Sequence, residues 1–147
     1  MLQRKIKNIF IDGPIASSFI ADSIQKHQAK TAIGGHSIFL GQVRADALND
    51  KTVGAIEYSA NKPMANETMH SIREEIILKY DLTCMHVYHS VGYIKAGEIC
   101  LFVFTSSAHR KAAIEACNET VEKIKSLLPV WGKEIFDDKS HQWKVNV

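Results

Sequence analysis

The chain has 147 residues, of which 46% are hydrophobic and 23% are charged, and its formal net charge is +2. This composition is typical of a globular protein, and the length suits one domain, which we predict over residues 1–147. The small net charge and the lack of a basic block argue against nucleic acid as a partner. The apolar runs are too short to cross a membrane and the N-terminus has no signal-peptide core, so we expect a cytoplasmic protein.

The first predicted elements are a strand and a helix. Charged and apolar residues alternate over Lys5–Ile11, and this alternation predicts a strand. Ser17 or Ser18 then offers a side-chain cap for a helix that runs to about Gln28.

Two β-rich segments follow, at Gly35–Val43 and Val53–Ala60. In the first segment Ile38 and Leu40 fall on one face of the strand, and Phe39 falls on the other. Because only a polar loop separates the two segments, we predict that they pair with each other as a hairpin.

The middle of the chain predicts a helix and two strands. Pro63 opens the helix, which runs to about Lys79. Thr83–Gly92 and Glu98–Ser106 are the strands, and the second is so continuously apolar that it should lie centrally in a sheet. The apolar stripe of the helix consists of Met69, Ile72, Ile76 and Tyr80.

The last third predicts the longest helix and two short strands. Ser106 or Ser107 is expected to cap a helix over Ala108–Leu128, and strands follow at Trp131–Asp137 and His141–Val147. Strands and hairpins interleaved with about three helices indicate an α+β fold on a largely antiparallel sheet. The expected core face of the long helix is Ile114, Cys117, Val121, Ile124 and Leu128.

The start of this long helix is the most informative local signal. His109 and Arg110 fall where the helix dipole disfavours cations, so stability alone would favour acidic residues there. Free backbone N–H groups, a serine hydroxyl, an imidazole and a guanidinium together form a cradle for phosphate or carboxylate. The alternative is a solvated first helical turn without a ligand.

Other basic side chains permit both a functional and a structural interpretation. Arg44 follows a strand and either faces a ligand or begins a solvated loop. Lys125 lies one step from the apolar stripe, so its stem can follow buried surface while its amine reaches a cleft. Lys133 is either a site residue or an exposed charge on an edge strand. Lys123 is explained by an ion pair with Glu119 at i,i+4 spacing.

The cysteines and histidines predict structural roles. Cys84, Cys100 and Cys117 are widely spaced and lack a Cys-x-x-Cys pair, so we expect reduced, buried thiols, with reactive thiols as the alternative. His86 and His89 point to opposite faces of one strand, and the remaining histidines have no partner spacing. We therefore predict no metal site.

Four stretches in this order resemble one enzyme family: "GGHSIFLGQVR", "YSANKPMANETM", "HSVGYIKAGEICLFVFTSSAHRKAAIEAC" and "IKSLLPVWGKEIF". Together they are similar to the large, catalytic subunit of molybdopterin synthase, over about residues 34–136. The resemblance implies an α/β-hammerhead-like fold and a role in molybdenum cofactor biosynthesis. The implied activity is a sulfurtransferase that moves sulfur to cyclic pyranopterin monophosphate without a metal or organic cofactor. The implied donor is the C-terminal thiocarboxylate of a small ubiquitin-like subunit, in a 2+2 heterotetramer built on a large-subunit homodimer.

The resemblance also implies roles for particular residues. Lys125 matches an active-site lysine near the arriving thiocarboxylate, and Lys133 is the second candidate catalytic lysine. The substrate-binding positions implied by the matching motifs, these two lysines included, are Phe39, Gln42, Val43, Arg44, His109, Arg110, Lys125, Gly132, Lys133 and Glu134. Many members have a lysine where this chain has Gly132, so one expected amine is absent from the motif.

The spacing along the long helix adds a prediction about assembly. Arg110 and Lys125 are 15 residues apart, about 22 Å along a helix, which exceeds the length of a pterin monophosphate. We therefore predict that two copies share each active site. Two other classes remain open: a non-enzymatic module that binds anions or nucleotides, and a scaffold subunit that has lost the chemistry.

Overall fold

An eight-stranded, largely antiparallel sheet organises the fold, and three helices pack against it. The computed structural model describes residues 5–146. The elements are β1 (Phe10–Asp12), α1 (Ser17–His27), β2 (Gly35–Gln42), β3 (Ala47–Leu48), β4 (Lys51–Ala60), α2 (Lys62–Tyr80), β5 (Cys84–Lys95), β6 (Ile99–Ser107), α3 (Arg110–Leu127), β7 (Val130–Phe136) and β8 (His141–Trp143).

The strands run in the order β2-β6-β5-β4-β7-β8. Among residues 5–146 only β1 pairs in parallel, along β5, and the short β3 pairs with β4. The predicted α+β fold with three helices is therefore confirmed. Within residues 5–146, none of the helices has the length and hydropathy needed to cross a bilayer.

Strand β6 is buried on both faces, which explains its continuous apolar sequence. Leu101 and Val103 pack with helices α2 and α3, whereas Phe102 and Phe104 pack with α1 on the other face. Full burial of each such side chain stabilises the fold by about 1.5–3 kcal/mol. The strand lies between β2 and β5, as its sequence predicted.

A second core lies at β4 and β7. Val53, Ile56 and Tyr58 of β4 pack there with Phe136 of β7. This core fixes β7 beside β4, and it therefore sets the position of the strand that carries Gly132, Lys133 and Glu134.

The predicted hairpin between the two β-rich segments is wrong. Strand β2 pairs with β6, and the polar loop supplies β3, which pairs with the start of β4. Asn49 and Asp50 both have positive φ, of 50° and 65°, so they form the tight turn that closes this short hairpin. The apolar β6 gives β2 a better-buried partner than β4 does.

The predicted serine caps at α1 and α3 are also wrong. Helix α1 has Ala16 at its N-cap, and α3 has His109, in both cases without a capping side-chain hydrogen bond. Ser106 and Ser107 belong to β6, because their pairing with β2 extends the strand through them. The helix consequently begins at Arg110, later than predicted.

The predicted buried face of α3 is confirmed except at one position, because Cys117, Ile124 and Leu128 are buried in the main core and Val121 packs against it. Ile114 is 55% exposed, and the small residues Ala113 and Ala116 approach the sheet instead. Strand β1 includes only Phe10 and Ile11 of the predicted strand Lys5–Ile11, and it continues to Asp12. Helix α2 agrees with its prediction, and the side chain of Asn61 caps it through the backbone N–H of Met64.

Candidate active site

A cavity of about 280 Å³ opens between the end of β2, the middle of β4, the last turn of α3 and the C-terminal segment. Its lining brings distant parts of the chain together. Other cavities have similar volumes, of about 300 and 360 Å³, so size does not distinguish this one. The mixed charge of its lining distinguishes this cavity, because two lysines, one arginine and two carboxylates reach it. The lining residues are Phe39, Leu40, Gly41, Gln42, Arg44, Asp46, Ile56, Tyr58, Cys100, Lys125, Glu134, Lys144, Val145 and Asn146.

Lys125 reaches the cavity from the last turn of α3. Its neighbour Ile124 is buried in the main core and fixes the rotation of this turn. The Lys125 side chain is therefore half-buried, with its amine at the cavity. Burial lowers the pKa of Lys125, and the nearby ammonium of Lys144 lowers it further. Such a lysine can serve as a positive charge or as a proton donor and acceptor.

Tyr58 and Cys100 form the deep side of the cavity. The Tyr58 hydroxyl lies 3.6 Å from Cys100 Sγ, and burial together with this thiol raises the pKa of Tyr58. The phenol therefore stays protonated at neutral pH. Cys100 Sγ also lies 3.5 Å from the carbonyl oxygen of Gly41. All three cysteines are buried and free, in line with the prediction of buried thiols.

The two carboxylates at the cavity already have partners. Asp46 pairs with Arg44 at 3.3 Å, and Glu134 accepts a hydrogen bond from the Gln142 amide at 3.2 Å. Neither carboxylate forms an ion pair with Lys125 within the part of the chain that the structure describes. The amine of Lys125 is therefore available to an anionic ligand.

Five of the residues predicted from the sequence line this one cavity: Phe39, Gln42, Arg44, Lys125 and Glu134. Val43 does not line it, because its side chain is only 2% exposed and packs in the second core. Gly132 is buried beside the cavity wall, where an added Cβ would lie 3.0 Å from Ile56 and 3.1 Å from Tyr58. Lys133 lies outside the lining and pairs with Glu57 at 3.3 Å.

His109 and Arg110 lie at the opposite end of α3 from the cavity. Both are exposed, and the backbone of β2 packs closely beside them, since a Cβ on Gly35 would lie 2.9 Å from Arg110 Cα. The Ser107 hydroxyl donates to the carbonyl oxygen of His109 and fixes the turn before the helix. A single chain thus does not bring the predicted anion-binding residues His109 and Arg110 to Lys125.

The sequence analysis missed several residues at the cavity, notably Tyr58, Cys100, Lys144 and Asn146. Strand alternation gives a signal for Tyr58, because it lies on the same face of β4 as the buried Ile56. No local sequence pattern predicts the position of Lys144 and Asn146. They lie at the cavity only because the segment after β8 folds back against it.

His27 has no partner by sequence spacing, but the fold brings it against His86. Its Nε2 lies 2.8 Å from Nε2 of His86, and its Nδ1 lies 2.7 Å from the Ser23 carbonyl oxygen. Cys84 completes a group whose ligand atoms lie within 4.8 Å of one another. A ring-to-ring hydrogen bond explains the short contact, and Lys30 donates to Cys84 Sγ at 2.8 Å. We interpret this group as a structural hydrogen-bond cluster.

Comparison with known proteins identifies the family. The family profile described as MoaE protein matches residues 15–127. The molybdopterin synthase catalytic subunit of Bacillus subtilis is 35% identical over 130 residues, covering 88% of this chain and 79% of the relative. The crystal structure of molybdopterin synthase from Staphylococcus aureus superposes with a TM-score of 0.81 at 28% identity, covering 97% of this chain and 100% of that one.

A more distant structure has the same fold. It is the complex of subunits 1 and 2 of the molybdopterin-converting factor from Helicobacter pylori, with a TM-score of 0.73 and 17% identity over 91% of this chain and 87% of that one. The curated relatives differ in length, and the matched region of this chain covers from 31% to 79% of the length of each relative.

Fold, cavity and matches together define a sulfur-transferring enzyme subunit. The chain belongs to the MoaE protein family, the catalytic subunits of molybdopterin synthase, which act in molybdenum cofactor biosynthesis. The resemblance drawn from the four sequence stretches is thereby confirmed.

Proposed function

We propose that the cavity at Lys125 is where sulfur passes from the C-terminal thiocarboxylate of a small partner subunit to cyclic pyranopterin monophosphate. The observation that carries this proposal is a half-buried lysine of lowered pKa, at a cavity whose two carboxylates are engaged elsewhere. The two-subunit complex of the Helicobacter pylori protein supports a small-subunit partner for this fold. The reaction needs no metal or organic cofactor in this proposal.

The chemistry requires charge stabilisation at two stages. The thiocarboxylate sulfur first adds to a carbonyl carbon of the pterin substrate, which breaks the C=O π bond and forms an alkoxide. That oxygen leaves as water, with a proton lost from the adjacent carbon, and the product is a vinyl thioester with the partner's terminal glycine. Water then attacks the thioester carbonyl, and an oxyanion forms. Collapse of that oxyanion breaks the carbon–sulfur bond, leaving sulfur on the pterin and a carboxylate on the partner. The Lys125 ammonium stabilises the oxyanion, or the neutral amine takes the proton from water.

Substrate recognition falls to residues at both ends of α3 in this proposal. Arg44, His109 and Arg110 hold the phosphate and the pterin, while Phe39 and Gln42 line the pocket. Val43 acts only through the core packing that fixes the end of β2. Gly132 and Glu134 complete the wall contributed by β7. Lys133 stays a predicted catalytic residue, although its ion pair with Glu57 makes Lys125 the stronger candidate.

An apolar surface supports the proposed homodimer. Ile38 and Leu40 on the edge strand β2 are 36% and 41% exposed, and Ile114 of the neighbouring α3 is 55% exposed. This surface lies near the middle of α3, where a shallow cavity of about 300 Å³ separates Phe39 from Ile114. A two-fold axis at this point would place Arg110 of each copy beside Lys125 of the other.

Mixed dimers test this arrangement. Arg110→Ala and Lys125→Ala chains should each be inactive alone. Random exchange makes half of the dimers mixed, and one of the two sites in each mixed dimer is intact, so activity should recover to about a quarter of wild type. The measurement is sulfur transfer after mixing, with native mass spectrometry to establish subunit exchange. Exchange without recovered activity would contradict a shared site.

The function itself is tested by a single-turnover reaction. The purified chain, a thiocarboxylated small subunit and cyclic pyranopterin monophosphate are mixed, and the pterin is analysed by mass spectrometry. We expect the pterin to gain two sulfurs. Stable binding of the small subunit without any sulfur transfer would contradict catalysis and favour a scaffold subunit. The observation that motivates this alternative is the glycine at position 132, where many family members have a lysine.

A further inference from the structure

The C-terminal segment Lys144–Asn146 forms one wall of the cavity at Lys125. Two hydrogen bonds attach it. The backbone N–H of Lys144 donates to the Gly132 carbonyl oxygen at 2.8 Å, and the Asn146 side-chain amide donates to the Lys125 carbonyl oxygen at 3.1 Å. The segment therefore connects β7 to the last turn of α3, and the half-buried Lys144 side chain lies at the cavity.

Lys144 and Lys125 are two cations at one cavity without carboxylate partners. Among residues 5–146, neither lysine forms an ion pair, whereas Arg44 pairs with Asp46 and Lys133 pairs with Glu57. Burial lowers the pKa of Lys125, and repulsion by the nearby Lys144 ammonium lowers it further. Two unpaired, half-buried ammonium groups near each other destabilise the folded chain, and a bound anion would offset that cost.

The backbone contact at Gly132 explains how a second amine reaches the cavity. Gly132 contributes no side chain, and its close packing against Ile56 and Tyr58 leaves little room for one. Its carbonyl oxygen instead anchors Lys144. The amine absent from β7 is thus supplied by the neighbouring segment that follows β8.

From this arrangement we infer that Lys144 is a second substrate-binding amine of the active site, which together with Lys125 holds the anionic thiocarboxylate of the partner subunit and the oxyanion derived from it. The inference rests on the proposed function. Lys144 contributes charge and hydrogen bonds, and no covalent step involves it. Lys125, on the more buried helix turn, remains the residue that contacts the reacting carbonyl.

The test compares Lys144→Ala, Lys144→Arg and the control Lys26→Ala, which removes an exposed lysine from α1. In single-turnover sulfur transfer, Lys144→Ala should lose roughly tenfold to a hundredfold in rate, as expected for one charged contact to an oxyanion. Lys144→Arg should recover most of that loss because it keeps the positive charge. Lys26→Ala should match wild type. Circular dichroism and thermal unfolding confirm that each variant is folded.

A second readout distinguishes an electrostatic role from a structural one. Lysines are isotopically labelled and the Lys125 amine is titrated by NMR. Removal of the repelling cation in Lys144→Ala should raise the pKa of Lys125 towards its ordinary value, whereas Lys144→Arg should leave it low. A Lys144→Ala rate within about twofold of Lys26→Ala, or an unchanged Lys125 titration, overturns the inference.

The same experiment separates this inference from the function on which it rests. If wild type transfers sulfur and Lys144→Ala transfers it equally well, the role of Lys144 fails while the proposed function stands. If wild type transfers no sulfur to the pterin, the proposed function fails, and the assignment of Lys144 to the thiocarboxylate fails with it.

Discussion

Replacement of Lys125 with alanine should lower the single-turnover rate of sulfur transfer by roughly 10²–10³, the usual effect of removing one donor to an oxyanion. The structural reason is the position of the amine. It is half-buried at the cavity, its pKa is lowered by burial and by Lys144, and no carboxylate of the described chain pairs with it. The substitution removes one of the two lysine amines that line the cavity.

The matched control is Lys123→Ala on the same helix. Lys123 lies on a surface facing away from the cavity, where its amine pairs with Glu75 at 2.7 Å and with Glu119 at 3.6 Å. The predicted Glu119–Lys123 pair is thus confirmed, and its loss should alter stability slightly without altering the rate. A loss of less than about threefold in Lys125→Ala, worth roughly 0.7 kcal/mol, would remove Lys125 from the catalytic step.

The pH dependence of the sulfur-transfer rate, measured in wild type and in the Lys123→Ala control, separates the two possible roles of Lys125. If the ammonium form is required, the rate falls as pH rises through the lowered pKa of Lys125. If the neutral amine is required, the rate rises over the same interval. The sign of this limb therefore decides between oxyanion stabilisation and general base catalysis, a distinction that the sequence left open.

Much of the candidate site follows from the sequence, because its residues belong to motifs with fixed spacing. From the residues alone, Arg44 could face a ligand or begin a solvated loop, and the position of Lys125 only permitted its amine to reach a cleft. The family resemblance assigned both to the site, and both line the cavity. Lys144 was not expected. It lies after a three-residue strand, and only the tertiary contacts with Gly132 and Lys125 bring it to the cavity.

Errors in the predicted fold have a similar cause. Local periodicity identified β2 and β4 as strands, yet it could not show that β2 pairs with β6, about sixty residues later. That long-range pairing also extends β6 through Ser107 and delays the start of α3. The serines expected to cap the helix therefore lie in the sheet, where Ser106 contacts the His36 ring at 2.7 Å.

The same long-range pairing makes Gly34 a sensitive position. Gly34→Ala should destabilise the chain by about 3 kcal/mol, the upper end of the usual cost of overpacking. An added Cβ would lie 2.1 Å from the backbone carbonyl oxygen of Ala108, and no side-chain rotation can relieve a clash with backbone. Either the start of β2 or the turn before α3 has to move. The turn carries His109 and Arg110, so substrate binding should weaken together with stability.

Gly54→Ala is the matched control, because a Cβ there would meet only the Ile135 carbonyl oxygen, at 3.9 Å. Its effect should stay within about 1 kcal/mol, since the new methyl group makes an ordinary contact. Both variants are compared with wild type by urea unfolding at one fixed protein concentration, because the proposed dimer would contribute to apparent stability. If Gly34→Ala and Gly54→Ala unfold at the same urea concentration, the close approach of β2 to the turn before α3 does not hold in solution. The predicted anion site at His109 and Arg110 would then need a different structural support.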